Sequence, residues 1–234
     1  MHVFWRENAT PRTEKDNLYR ATYGCLISEN DKQDIQTPIL CEKEMFVDKQ
    51  VSPAILKSED FYVGYAMHMR FKNKKLHSSI VFVERLIQVL LKLLSVLEIY
   101  NEQKTYGIAI WKSKSIYKPF KYVKTTKITN CNKLYRPWHL DIFKHNDKSY
   151  AIIQTTQCNA DICLAVSDDH ENFKMFSTPL ITNNSINKVG IYKPTGFVYN
   201  DVFYLYYTAQ DSNNRKLNKM CLTSMSFSKL VNLT

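Results

Sequence analysis

The sequence predicts an all-β protein and, within that class, a β-propeller of four-stranded blades. The chain has 234 residues, of which 44% are hydrophobic and 13% aromatic, including 15 Tyr and 12 Phe. Aromatic rings suit the half-buried surface of a pleated strand, so this composition favours sheets. Two sequence elements also recur in one order along the chain. Only 5 Gly and 7 Pro occur, which excludes collagen-like and low-complexity chains.

The first repeated element is a β-hairpin, which we expect at 52–65, 138–153 and 193–207. Each copy holds a short apolar run, a polar turn that carries Asp, and an aromatic-rich run that begins near a Tyr. Two such runs separated by a polar turn are typical of antiparallel strands.

The second repeated element follows each hairpin, at 107–113, 162–173 and 219–227, and a further copy lies at 19–30. Asp141 and its counterpart in the next unit, Thr195, are about 54 residues apart. A period of this size with four strands per unit is typical of a propeller. A β-sandwich can also supply aromatic hairpins, but it does not repeat these two elements in one order.

The chain begins out of phase with this repeat. Residues 3–5 predict a strand before the 19–30 element, but the inner hairpin that should precede it is absent. We therefore expect an incomplete first blade with a free sheet edge. Either the chain is truncated, or another chain or an irregular N-terminal segment covers that edge.

An insertion at 76–103 interrupts the first full unit, within a single propeller domain that spans 1–234. Polar residues at 84, 88, 92 and 95 recur at helical spacing, which predicts an amphipathic helix at about 78–100. Its charged residues exclude a transmembrane span. The helix can pack on its own domain, form a homo-oligomer contact or lie on a membrane surface, and the sequence leaves these alternatives open.

The net charge of +10 makes this a basic protein and favours an anionic partner. The basic residues are scattered, and no nucleic-acid-binding motif accompanies their densest runs at 72–75 and 112–127, so we expect no nucleic acid partner. A solvated basic surface is the alternative interpretation.

The six cysteines are dispersed and form no Cys-x-x-Cys pair, so we expect buried thiols and no zinc site. Free thiols favour a reducing compartment, and the N-terminus lacks the pattern of a signal peptide. The expected location is therefore cytoplasmic. No phosphate-binding glycine loop or His-Glu-x-x-His motif occurs, and we expect neither a cofactor nor a metal.

Three stretches carry a resemblance to a known family: 138–150, 162–169 and 192–207. Together they resemble the five-bladed β-propellers of the arabinanase and β-xylosidase type of glycoside hydrolase, and the resemblance covers most of 1–75 and 104–234. It implies an axial pocket ringed by a general base, a general acid and an Asp that tunes pKa values. Inverting hydrolysis needs two carboxyl groups on opposite sides of the scissile bond.

The resemblance assigns Asp141 the place of the pKa-tuning Asp, on the innermost strand of its unit. The general base belongs on an inner strand that the first blade lacks. The general acid belongs near 190–194, where the sequence is Gly-Ile-Tyr-Lys-Pro and holds no carboxylate. The catalytic set that the resemblance implies is therefore incomplete.

Five further residues are candidates for substrate binding. Trp138 and His139 can stack on a sugar ring and donate a hydrogen bond, although Trp138 can equally pack between blades. His139 can instead pair with Asp141, because residues i and i+2 share a face of a strand. Strand alternation allows only one of Tyr192 and Lys193 to face the funnel. Arg136, His139 and Lys193 would together suit an acidic sugar or a phosphate; the alternative is exposed bases at the blade mouths.

The function these observations favour is a glycoside hydrolase-like propeller that acts on a poly- or oligosaccharide in an axial funnel, with an incomplete catalytic set. Its partner is then a carbohydrate, and the net charge favours an anionic one. The alternatives are a non-catalytic carbohydrate-binding or scaffold propeller and a truncated product of a former glycosidase.

Overall fold

The computed structural model describes residues 2–7, 22–27, 51–69, 90, 106–116, 118–132, 135–156, 161–182, 191–210 and 218–232. Within these ranges the chain forms fourteen strands, in four sheets, and one short helix. The prediction of an all-β protein is confirmed.

The strands of each sheet follow one another along the chain, with a single exception. A two-stranded sheet pairs β1 (His2–Glu7) with β2 (Thr22–Ile27). The next sheet has the order β3-β4-β5-β6, with β3 (Val51–Lys57), β4 (Tyr62–Met69), β5 (Tyr106–Ser113) and β6 (Lys121–Thr126). The predicted strand at 3–5 is therefore present, and it pairs with the strand predicted within 19–30.

The central sheet has the order β7-β11-β10-β9-β8 and holds the exception, because β7 runs parallel to β11. Its strands are β7 (Ile128–Thr129), β8 (Arg136–His145), β9 (Lys148–Thr156), β10 (Ile162–Ser167) and β11 (Phe173–Met175). The last sheet contains β12 (Ile191–Tyr199), β13 (Val202–Gln210) and β14 (Asn218–Ser226), and helix α1 (Phe227–Asn232) follows it. Helix α1 was not predicted.

Asn-Asp pairs close the two predicted hairpins β8–β9 and β12–β13. Asn146 and Asp147 have φ values of 47° and 59°, and Asn200 and Asp201 have values of 49° and 57°. Two consecutive residues with positive φ make the type I′ turn, whose twist matches that of the flanking strands, and Asn and Asp tolerate this conformation better than most residues.

The central sheet is buried on both faces. Alternate residues of β9 point to opposite sides: Ala151 and Ile153 join a core with the β3–β6 sheet, while Tyr150 and Ile152 join a core with the β12–β14 sheet. Burial on both faces explains why β9 and β10 have nearly continuous apolar sequences.

One edge strand from each of these three sheets lies beside the others. β8 packs against β3 and against β12. Each of these three strands is an edge of its own sheet. This is the arrangement that innermost blade strands have around a propeller axis, and β3, β8 and β12 are called the inner strands below.

The loop at 168–172 joins the central sheet to the β3–β6 sheet. Glu171 forms ion pairs with Lys112, at 3.2 Å, and with Lys124. The Tyr65 hydroxyl donates a hydrogen bond to the carbonyl of His170 at 2.9 Å. Asp169 shapes the loop by accepting hydrogen bonds from the backbone N–H groups of Glu171 and Asn172 at 2.9 and 2.7 Å.

The predicted insertion at 76–103 lies outside the described residues, except for Leu90, whose backbone is helical. The helix at about 78–100 and the single-domain division of 1–234 stay predictions. No helix in the described part of the chain has the length and apolarity needed to span a bilayer.

Candidate functional site

Asp141 lies on β8 and bridges two inner strands. Its Oδ2 accepts a hydrogen bond from Thr195 Oγ1 at 2.5 Å and one from the N–H of Gly196 at 3.3 Å, both on β12. Its Oδ1 accepts from the N–H of Ile142 at 2.9 Å. Asp141 and Thr195, the matching positions of two repeat units, are thus in direct contact across the sheet boundary.

Two opposing effects set the proton affinity of Asp141. Burial raises the pKa of its carboxyl group above the ordinary value, because the charged form loses solvation. The hydrogen bonds from Thr195, Ile142 and Gly196 act in the opposite direction, since they stabilise the carboxylate, but burial is the larger effect. Asp141 therefore takes up a proton more readily than an exposed aspartate.

Asp141 has three hydrogen-bond donors, Ile142, Thr195 and Gly196, and its predicted pairing with His139 stays a prediction. The two residues follow regular pairing along β8, opposite Ile152 and Gln154 respectively. Both carboxylate oxygens of Asp141 are engaged by other donors. The prediction considered β8 alone and therefore did not include the hydrogen-bond donors on β12.

Gly196 allows β12 to approach the central sheet closely. A Cβ atom at this position would lie 2.7 Å from the carbonyl oxygen of Tyr204 and 2.8 Å from Cδ1 of Ile152. A side chain does not fit there without a shift of backbone or core. The absent side chain also keeps the Gly196 N–H within reach of Asp141.

A row of rings lies on the same inner strands. The ring centroids of Trp138 and His139 are 5.8 Å apart, and those of His139 and Tyr192 are 4.8 Å apart, both in edge-to-face geometry. His139 is only 4% exposed, whereas Trp138 and Tyr192 are half-buried. Nζ of the exposed Lys193 lies 5.4 Å from the Tyr192 ring centroid, within the range of a cation–π contact.

Lys193 and Tyr192 are in contact with each other, and which of them faces the site stays a prediction. The register of β12 against β13 shifts between Tyr192 and Thr195, and Lys193 has a φ of 47°. This is a β-bulge, and a bulge interrupts the alternation of side chains on which the prediction relied.

Gln154 contacts the bulge from the neighbouring sheet. Its Oε1 accepts a hydrogen bond from the N–H of Lys193 at 3.0 Å, and its side chain is 3% exposed. On β9 it lies opposite His139. The buried side-chain amide of Gln154 thus connects β12 to β9, which pairs with the strand that carries His139.

Of the predicted site residues, the structure brings together Trp138, His139, Tyr192 and Lys193, with Asp141 on the same strand as the first two. Arg136 opens β8 opposite Thr156, and its side chain lies outside what is described. Sequence reasoning missed Gln154 as well as Thr195 and Gly196. The repeat spacing from Asp141 could have indicated Thr195, but nothing in the sequence distinguished Gln154.

Asp141 is the only acidic residue on the three inner strands, since β3 and β12 carry none. A cleft of about 400 Å³ lies elsewhere, between the β13–β14 strands and residues 176–182. It is lined mainly by apolar side chains and includes none of the predicted site residues.

Comparison with known proteins gives a match in structure and none in sequence. No protein-family model and no curated protein matches the chain. An endo-arabinase from Bacteroides thetaiotaomicron superposes with a TM-score of 0.56 over 96% of this chain and 71% of its own, at 10% identity. A family 32 beta-fructofuranosidase from Bombyx mori superposes with a TM-score of 0.55 over 95% of this chain and 42% of its own, at 13% identity. The chain has the β-propeller fold of these enzymes.

This result confirms the predicted propeller and the resemblance in fold to propeller glycoside hydrolases. The identities are low, so the similarity concerns the fold alone. The propeller described here also spans only 48% of a thermostable family-43 glycoside hydrolase that it partly matches, at 16% identity and a TM-score of 0.49. The number of blades stays a prediction.

Proposed function

We propose that this chain is a glycoside hydrolase-like propeller that binds a poly- or oligosaccharide on its inner strands, around Trp138, Tyr192 and Asp141. One observation carries the proposal: two half-buried rings and a hydrogen-bonded carboxylate gather where β8 meets β12. Aromatic faces offer apolar contact to the C–H groups of a sugar ring, and nearby polar groups fix its orientation.

Binding fits this site better than hydrolysis. An acid–base pair of carboxyl groups is needed to cleave a glycosidic bond, and the inner strands β3, β8 and β12 supply Asp141 alone. The Asp141 oxygens are also occupied by Thr195, Gly196 and Ile142. A group held in this way orients its neighbours and accepts hydrogen bonds, but it has little freedom to activate water.

An anionic oligosaccharide is the preferred ligand class. Lys193 places an exposed ammonium group beside the Tyr192 ring, and the whole chain carries a net charge of +10. A carboxylate of a uronate residue could contact Lys193 while a neighbouring ring stacks on Trp138. Because Lys193 is exposed, this contribution should weaken as salt is added.

The proposal is tested by isothermal titration calorimetry with neutral arabinan, xylan and fructan oligosaccharides and with oligogalacturonate. We expect wild-type protein to bind oligogalacturonate best, with affinity falling at higher salt. Trp138→Ala should weaken binding by up to about tenfold, the effect of losing one aromatic contact of about 0.5–1.5 kcal/mol. Tyr199→Ala is the matched control, because Tyr199 is an exposed aromatic residue at the far end of β12.

Absence of binding to every oligosaccharide, or equal loss in the Trp138 and Tyr199 variants, would contradict the proposal. Release of reducing ends by the wild-type protein, but not by Asp141→Ala, would replace binding with hydrolysis. Binding and the release of reducing ends are measured on the same protein preparations.

A further inference from the structure

We propose that Gln154 is a positioning residue for the oligosaccharide site, because its buried amide oxygen holds the Tyr192–Lys193 bulge in the conformation that brings both side chains to the same place. The inference rests on the proposed function, since it gives a role in ligand binding to a side chain that a ligand would not touch. Gln154 is 3% exposed.

The bulge has an unfavourable backbone conformation that needs support. Lys193 adopts a φ of 47°, in the left-handed region that residues with a Cβ atom avoid. Such a conformation persists only where the surrounding structure fixes it. The support must come from groups that contact the backbone at this residue.

Gln154 supplies that contact. Its Oε1 accepts a hydrogen bond from the Lys193 N–H at 3.0 Å, from a different sheet and from 39 positions earlier in the chain. The bond matters because Gln154 is buried, and its amide oxygen would be costly to leave without a donor. Gln154 also lies opposite His139 in the β8–β9 ladder, so the bulge is tied to the strand that carries the neighbouring ring.

Loss of the bulge would separate the two groups that a ligand needs. In a regular strand, Tyr192 and Lys193 would point to opposite faces. Either the Tyr192–His139 contact at 4.8 Å or the Lys193–Tyr192 contact at 5.4 Å would then be broken. Gln154 therefore determines whether stacking and charge act on the same ligand.

The test compares Gln154→Met, which keeps the length of the side chain but removes the acceptor, with Thr155→Val as matched control. Thr155 is the next residue on β9, is fully buried, and exchanges hydrogen bonds with the backbone of Asp161. Two measurements are made on each variant: hydrogen exchange of the Lys193 amide by NMR, and the affinity for oligogalacturonate by calorimetry.

We expect Gln154→Met to accelerate exchange of the Lys193 amide and to weaken oligogalacturonate binding by about tenfold. Thr155→Val should change neither, even if it lowers the melting temperature by the same amount. Adding Lys193→Gly to Gln154→Met should restore part of the lost melting temperature, because Gly adopts a positive φ without strain. The two effects are then non-additive, as expected for residues in contact.

Unchanged exchange of the Lys193 amide in Gln154→Met would overturn the inference, and so would faster exchange with wild-type affinity. Failure of the proposed function gives a different pattern. In that case wild-type protein binds no oligosaccharide, the exchange result still reports whether Gln154 holds the bulge, and the role in ligand binding is rejected.

Discussion

At the scale of the residue, Asp141 combines burial with three hydrogen bonds, so its protonation state affects the stability of the folded protein. Burial raises its pKa, so the folded protein holds the proton more tightly than the unfolded chain does. The contribution of Asp141 to stability is therefore complete at a pH below the pKa of the unfolded chain. It is lost as the pH rises through the higher pKa of the folded state.

Replacing Asp141 by Asn should remove this pH dependence. We expect the free energy of unfolding of Asp141→Asn, relative to that of wild type, to increase as the pH rises from about 3 to 8, by about 1.4 kcal/mol for each tenfold change that folding makes in the acid dissociation constant. Urea unfolding at several pH values measures the difference. Asp147→Asn, in the exposed β8–β9 turn, controls for the loss of a carboxylate, and a flat difference for Asp141→Asn would contradict the prediction.

At the scale of the element, the loop at 168–172 depends on one carboxylate. Asp169 accepts hydrogen bonds from the backbone of Asn172 and Glu171, from the Asn172 side chain and from the Ser167 hydroxyl, and these bonds hold its pKa well below the ordinary value. The loop in turn presents Glu171 to the lysines of the β3–β6 sheet. A single side chain thus organises a contact between two sheets.

Asp169→Ala should lower the free energy of unfolding by about 1–2 kcal/mol at neutral pH, the usual effect of losing a capping carboxylate. Because folding lowers the pKa of Asp169, its contribution is present above the pKa of the unfolded chain. It disappears as the pH falls, so the variant should approach wild type in acid. Asp168→Ala is the control, since Asp168 is exposed and forms an ion pair with Lys148 at 2.8 Å. Equal effects of the two variants would contradict this assignment.

The elements differ in how far the sequence predicts them. The hairpins β8–β9 and β12–β13 were predictable because Asn-Asp turns and aromatic runs are local signals. The bulge at Lys193 was not, because its support comes from Gln154 on another sheet. The partners of Asp141 were half predictable: repeat spacing indicates Thr195, but a hydrogen bond between units depends on how closely the sheets approach. That approach is set by Gly196 and the core behind it.

At the scale of the whole molecule, the β3–β6 and β12–β14 sheets end in edge strands that differ in charge. β6 is an edge strand that carries Lys121 and Lys124, and lysines on an edge discourage pairing with another chain. β14 is the outer edge of the last sheet among the described strands, and Lys219 is its only charged residue. Met220 and Leu222 on this strand are 83% and 53% exposed.

β14 is therefore where we expect self-association at high protein concentration. Met220→Lys should shift the onset of association, followed by light scattering, to a higher concentration without lowering the melting temperature. Thr125→Lys, on the lysine-bearing edge β6, is the control and should have little effect. The same onset for both variants would show that β14 is not the surface involved.

The parallel pairing of β7 with β11 has a consequence for the order of folding. Among the described strands, every other pairing joins strands that are consecutive along the chain, whereas Ile128 must find Phe173 after the β8–β11 meander has been laid down between them. Closing so long a loop is entropically slow. We therefore expect β7 to pair with β11 late in folding. The β8–β11 meander can assemble early, and its connection to the preceding sheet forms last.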